Sequence, residues 1–223
     1  MKNNFKIIGV TGGVGAGKST ILKYIQSNYN CELFVTDIIA YEIMRNDEDC
    51  LSAIKTAFAE DDIFGANGEI NSIKVGKVIF KNDEKRKIMN SIVHPRVIKY
   101  VKDGCKQAKK EGKVDFVVVE SALLIECGMT SFCDEVWYIT APINVRIERL
   151  KTSRGYSKQK CLDIIQGQLS EDEFIKNSTS VINTGCKPTE TFKQVDTTFT
   201  TIGIKKKENA ANSLLDAVAG NLE

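Results

Sequence analysis

Lys6-Ile7-Ile8-Gly9-Val10-Thr11-Gly12-Gly13-Val14-Gly15-Ala16-Gly17-Lys18-Ser19-Thr20-Ile21-Leu22 passes without a break from an apolar, β-branched run through a glycine-rich turn into a helical period. Within it, the eight residues from Gly12 to Ser19 match G-x-x-x-x-G-K-[ST], and both flanks that the pattern requires are present: a strand before it, and after it a helix carrying Ile21, Leu22 and Ile25. Glycines let the backbone curl so that successive N–H groups point inward at phosphate oxygens, while the following helix adds the positive end of its dipole. The spacing therefore predicts that Gly12, Gly13, Val14, Gly15, Ala16, Gly17, Lys18, Ser19 and Thr20 cradle ATP. Lys18 is expected on the β- and γ-phosphates and the Ser19 hydroxyl on Mg²⁺. The motif alone leaves kinase, GTPase and ATPase open.

Outward from this stretch, short apolar runs alternate with helix-period segments, the pattern of a parallel sheet covered by helices. Strands are predicted over residues 6–10, 116–120 and 135–139, with weaker candidates at 32–35 and 180–182. Phe116-Val117-Val118-Val119 is apolar without alternation, as a strand buried on both faces requires, and is expected in the middle of the sheet. The fold class is α/β: a P-loop NTPase with a parallel five-stranded sheet flanked by helices. The core is expected at residues 5–45, 113–141 and 178–195, with a helical subdomain at about 46–112, a lid at about 142–177 and a helical tail at 196–223. Asp47 is placed to cap a helix bearing Leu51, Ile54 and Phe58, and Asn67-Gly68 to turn the chain before a helix bearing Ile73, Val78 and Phe80. Asp83 is read as capping a helix with Ile88 and Ile92, and Pro95 as opening a long one with Val97, Val101, Cys105 and Ala108, ended by Gly112.

The 223 residues are 42% hydrophobic and 27% charged, which excludes wholesale disorder. A net charge of +2 does not announce a nucleic-acid partner. Seven scattered cysteines, no C-x-x-C and a single histidine fit neither a disulfide framework nor a zinc site, and read as reduced thiols used as small hydrophobes. With no signal peptide and no run long enough to cross a bilayer, the expected setting is the cytoplasm, as a monomer or weak homo-oligomer, with no membrane contact.

Six residues outside the glycine loop carry chemistry. Asp37 follows the second strand, where a carboxylate can accept the proton of an attacking hydroxyl or, alternatively, cap the next helix. Glu120 ends a buried strand where a Mg²⁺ ligand belongs, or is a polar strand terminus. Arg146 and Arg149 share a helical face and Arg154 follows in Ser153-Arg154-Gly155; guanidinium forks suit phosphate, though a solvated face explains any one of them. His94 is either a structural histidine or a site residue. No N-K-x-D element of a GTPase is present.

This set resembles the dephospho-coenzyme A kinases over residues 8–195. The carrying segments are the glycine loop, Thr36-Asp37-Ile38-Ile39-Ala40, Phe64-Gly65 through Asn71, Val78-Ile79-Phe80, Ile92-Val93-His94-Pro95, Leu123-Leu124-Ile125-Glu126, Arg149-Leu150, Gln168, and Val181-Ile182-Asn183 with Gly185. The resemblance implies transfer of the ATP γ-phosphate to the ribose 3′-hydroxyl of dephospho-coenzyme A, with the helical insertion receiving this acceptor. It further implies Asp37 as base, His94 and Leu123 at the acceptor, Arg149 as a lid arginine and Asn183 at the nucleotide. Val35, Ser72, Ser153 and Phe174 depart from the family's pattern, as does Glu120-Ser121-Ala122, and Arg154 is expected to take over a lid contact usually made from position 153. Two other classes remain: another small-molecule P-loop kinase, for nucleosides, nucleotides or sugars, and a nucleotide-binding non-enzyme.

Overall fold

The computed structural model describes residues 5–66 and 68–207. The chain divides into two compact units, one made of Met1–Leu33 with Cys105–Glu223, the other of Phe34–Gly104. Five strands form one sheet: β1 (Lys6–Thr11), β2 (Cys31–Val35), β3 (Phe116–Glu120), β4 (Glu135–Thr140) and β5 (Ser180–Asn183), in the order β2-β3-β1-β4-β5. The ladders of β1 with β3, β1 with β4 and β4 with β5 are all parallel. Every residue of β3 is buried, as its unbroken apolar run predicts, but the central position belongs to β1. That placement follows from its own sequence, since Ile8 and Val10 are fully buried and Gly9 lets Leu124 and Cys133 close in over the strand.

In the first unit, α1 (Lys18–Asn28) and α9 (Pro188–Thr201) cover part of the sheet through an aromatic cluster. Phe199 packs 4.1 Å from Tyr29, 5.1 Å from Phe116 and 4.7 Å from Trp137, centroid to centroid. Asp196 accepts hydrogen bonds from the hydroxyls of Tyr24 and Tyr29, and Lys206 joins the same carboxylate at 2.8 Å. The main chain of Lys207 donates to the carbonyl of Asn28, and its ammonium to that of Gln26, satisfying acceptors at the end of α1. Between β4 and β5 run α6 (Ile143–Arg154), α7 (Lys158–Gln166) and α8 (Glu171–Lys176). Cys161, Ile147 and Leu150 form the small core that joins α6 to α7. Leu214, Leu215 and Val218, expected in a helical tail, lie outside the described residues.

The second unit holds α2 (Thr36–Asn46), α3 (Glu48–Ala57), α4 (Ser72–Lys81) and most of α5 (Asp83–Glu111). Asp47 caps α3 as expected, accepting from the Cys50 amide, and Ile54 and Phe58 are fully buried. Three expectations are corrected. The cap of α5 is Asn82, whose side chain accepts from the amides of Glu84 and Lys85, and Asp83 is already helical. Pro95 does not open a helix but sits inside α5, where it removes one backbone bond. There Arg96 turns its guanidinium back onto the Ile92 carbonyl at 2.7 Å, so one backbone acceptor of that turn gains a side-chain donor. In α4 the buried residue is Val75, whereas Ile73 and Phe80 are exposed. Asn67 of the expected Asn67-Gly68 turn is outside the described residues; Gly68 has φ +76°. Cys50, Cys105 and Cys161 are core residues, and burial pushes the Cys105 thiol up to about 12, which keeps it protonated and inert. No helix among the described residues is long and apolar enough to cross a membrane.

Candidate active site

Because β1, β3, β4 and β5 run parallel, Thr11, Glu120, Thr140 and Asn183 end their strands along one edge of the sheet. Ligands of open parallel sheets bind outside the carboxyl ends, where the strand order changes direction, and here that point is β1. The chain leaving β1 is the glycine loop. Gly12 has φ +145°, and a Cβ on it would run into the Ile139 carbonyl of β4; Gly17 has φ +91° and ends the loop as the N-cap of α1. Neither position accepts a side chain. With no side-chain cap and no acidic residue in its first turn, α1 keeps its N-terminal donors and positive dipole end for an anion from outside the chain.

Lys18 opens α1 and bends back, its ammonium donating to the Gly12 carbonyl at 2.7 Å and standing 3.7 Å from Glu120 Oε1. Glu120 is brought there by the pairing of β3 with β1, in which Val10 lies opposite it, and it is buried, 8% exposed. Ser19 follows on the exposed side of α1. Among the described residues no three His, Cys, Asp or Glu side chains gather into a metal-binding group. A cation at Ser19 and Glu120 would complete its shell with phosphate oxygens and water, a mode that suits Mg²⁺. The residues present fit that ion.

The outer face of the loop is gripped from the segment between β4 and β5. Arg146 Nε donates to the Val14 carbonyl at 2.9 Å, and Gln168 Oε1 accepts both from the Val14 amide, at 3.0 Å, and from Arg146, at 2.9 Å. One glutamine and one arginine thus hold both backbone groups of Val14. Burial pushes the Arg146 pKa down, which marks how far the guanidinium has been taken out of water. Three residues on in α6, Arg149 donates to the Gly15 carbonyl at 3.2 Å and to the hydroxyl and carbonyl of Thr184 at 2.8 and 2.7 Å. Next to this grip lies a cavity of about 660 Å³ bounded by Tyr138, Pro142, Arg146, Gln168, Phe174 and Asn183. Phe174 is buried there, stacked on Tyr138 with centroids 4.6 Å apart.

Of the residues expected at the site, the structure brings Lys18, Glu120, Arg149 and the loop together. Arg154, the last residue of α6, is exposed, with its guanidinium 6.0 Å from the Tyr156 ring centroid. Ser153 donates to the Arg149 carbonyl at 2.6 Å. Asn183 ends β5 and accepts from the Gly185 amide. Leu123 is 42% exposed beyond β3. In the second unit Asp37 lies in the first turn of α2 and is exposed; the cap position there is Val35, so the capping alternative for Asp37 is not what the structure contains. His94 is half-buried in α5, and desolvation lowers its pKa, keeping the imidazole neutral at pH 7. Sequence reasoning left Arg146 as one candidate on a helical face and Gln168 as a point of resemblance, and it did not single out Thr184.

The family model for dephospho-CoA kinase matches residues 6–188. A dephospho-CoA kinase from Carboxydothermus hydrogenoformans is 32% identical over 189 residues, 85% of this chain and 90% of the relative. Among solved structures, TT1252 from Thermus thermophilus superposes with a TM-score of 0.76 at 24% identity, covering 89% of this chain and 98% of that one. A dephospho-CoA kinase from Campylobacter jejuni gives 0.64 at 21% identity, covering 88% and 96%. At such identities the two structures speak for the fold.

Proposed function

The chain belongs to the dephospho-CoA kinase family, and from that premise we propose that it moves the γ-phosphate of ATP to the ribose 3′-hydroxyl of dephospho-coenzyme A, releasing ADP and coenzyme A. The observation that carries the phosphoryl-transfer half is the closed glycine loop, with Lys18 held between the Gly12 carbonyl and buried Glu120. In such transfers the protein has little covalent chemistry to perform, and its work is alignment and charge stabilisation. Loop amides other than those of Val14 and Ala16, which Gln168 and the Gly13 carbonyl engage, hold the phosphate oxygens together with Lys18, and Arg149 keeps the loop in shape. Ser19 and Glu120 would hold Mg²⁺, which would supply positive charge against the phosphate oxygens. The 660 Å³ cavity bounded by Asn183 is of a size suited to the adenosine end of the nucleotide. Asp37, exposed in the first turn after β2, accepts the proton of the attacking hydroxyl. His94 and Leu123 contact the acceptor, His94 as a neutral hydrogen-bonding group. The reaction is placed in the cytoplasm.

Purified protein with Mg·ATP and a panel of acceptors, read by ADP release and product mass, tests the reading. Dephospho-coenzyme A should gain one phosphoryl group while adenosine, nucleotides and sugars do not. Phosphorylation of one of those instead would replace the acceptor, and tight ATP binding without turnover on any acceptor would replace the enzyme with a nucleotide-binding protein.

A further inference from the structure

A loop that offers N–H groups to phosphate must also place its carbonyls, and each carbonyl is a strong acceptor that needs a donor. In this protein three consecutive carbonyls find one on a side chain: Val14 on Arg146 at 2.9 Å, Gly15 on Arg149 at 3.2 Å and Ala16 on the Thr184 hydroxyl at 2.6 Å. Thr184 is the shared point of this belt. A hydroxyl has one proton; here it goes to Ala16, which leaves the lone pairs of Oγ1 for Arg149 at 2.8 Å. The Thr184 carbonyl takes a second bond from the same guanidinium at 2.7 Å, and its amide donates to the Thr140 carbonyl at the end of β4. The residue is 6% exposed and sits so near the loop that a Cβ on Gly17 would lie 3.1 Å from its oxygen. One small residue thus ties the end of β4, through its amide, to the arginine of α6 and the back of the phosphate loop.

We infer that Thr184 is a positioning residue for the nucleotide: without touching it, its hydroxyl sets the Ala16 peptide and the Arg149 guanidinium in the arrangement that receives the phosphates. The inference rests on the reading of the glycine loop as the ATP site and is independent of the acceptor. Thr184→Val keeps the shape and removes the hydroxyl, leaving Ala16 and Arg149 each short of a buried partner; Thr184→Ser keeps the hydroxyl. ATP affinity, measured on the whole chain without acceptor, should weaken by about tenfold or more in Thr184→Val and stay within about threefold of wild type in Thr184→Ser. KM for ATP should rise in the valine variant while KM for dephospho-coenzyme A holds. Combined with Arg149→Ala, the loss should be clearly less than the product of the two single losses, because both act on one arrangement. A valine variant that binds ATP like wild type, whatever its melting temperature, overturns the inference. So do valine and serine variants equally impaired, or losses that simply multiply.

Discussion

Asp37 is where the two readings of one carboxylate separate. Since Val35 occupies the cap and Asp37 is already within the first turn of α2, its link to the helix is the favourable field at the N-terminus, worth about 0.3–1 kcal/mol at an exposed position. Asp37→Asn is therefore expected to lower kcat by about 100-fold with ATP affinity kept and with only a small change in melting temperature. Normal kcat in steady-state kinetics would remove Asp37 from the chemistry. His94 carries a pH prediction whose sign follows from its desolvation, which holds the folded pKa below the usual 6.5. As pH falls, the unfolded chain takes up the proton first, so this contribution is complete above about pH 6.5 and is lost as pH drops from there through the folded pKa. His94→Gln should lose less melting temperature than wild type between about pH 7.5 and 5.5. Equal losses in parallel thermal scans would show that the imidazole is not a source of the acid sensitivity.

At the scale of elements, α6 decides which arginines reach the loop. Arg146 and Arg149 are three apart and share the inward face, while Arg154 ends the helix one residue before Gly155, which has φ +64°. Arg149→Ala is expected to lower kcat/KM for ATP by about tenfold or more, and Arg154→Ala, an exposed residue at the helix end, by less than about threefold. The reverse order would mean that the end of α6 swings onto the nucleotide. The same elements show what a sequence can say. β3 was legible because Phe116 to Val119, buried on both faces, are apolar without alternation, and the glycine loop because its conformational demands fall on consecutive residues. α5 was misdivided at Pro95, where local propensity says boundary but the buried series Met89, Val93, Val97, Val101, Cys105 and Ala108 runs straight through. Thr184 was illegible because its importance comes from Ala16 and Arg149, 168 and 35 residues away, and no local pattern encodes such a meeting.

For the whole molecule, the informative feature is where the boundaries between the two units fall. One lies between Leu33 and Phe34, inside β2, and the other between Gly104 and Cys105, inside α5. Neither is a linker. Buried residues of α5 fall on both sides of the second boundary, Val97 and Val101 before it and Cys105 and Ala108 after it, so melting either unit strips part of a continuous helix. A break in mid-helix leaves freed backbone groups on both sides, and cooperative loss of both units is therefore expected. Trp137, the sole tryptophan, is fully buried in β4 and reports the first unit, while far-UV ellipticity also senses α2 to α5 of the second. The two signals should melt at the same temperature in the free protein. Saturating Mg·ATP, whose loop lies wholly in the first unit, should raise both by the same amount, because a ligand of the folded state stabilises everything that unfolds with its site. If ellipticity falls before Trp137 emission changes, or if ATP moves the tryptophan transition alone, the units unfold separately and α5 does not transmit stability between them.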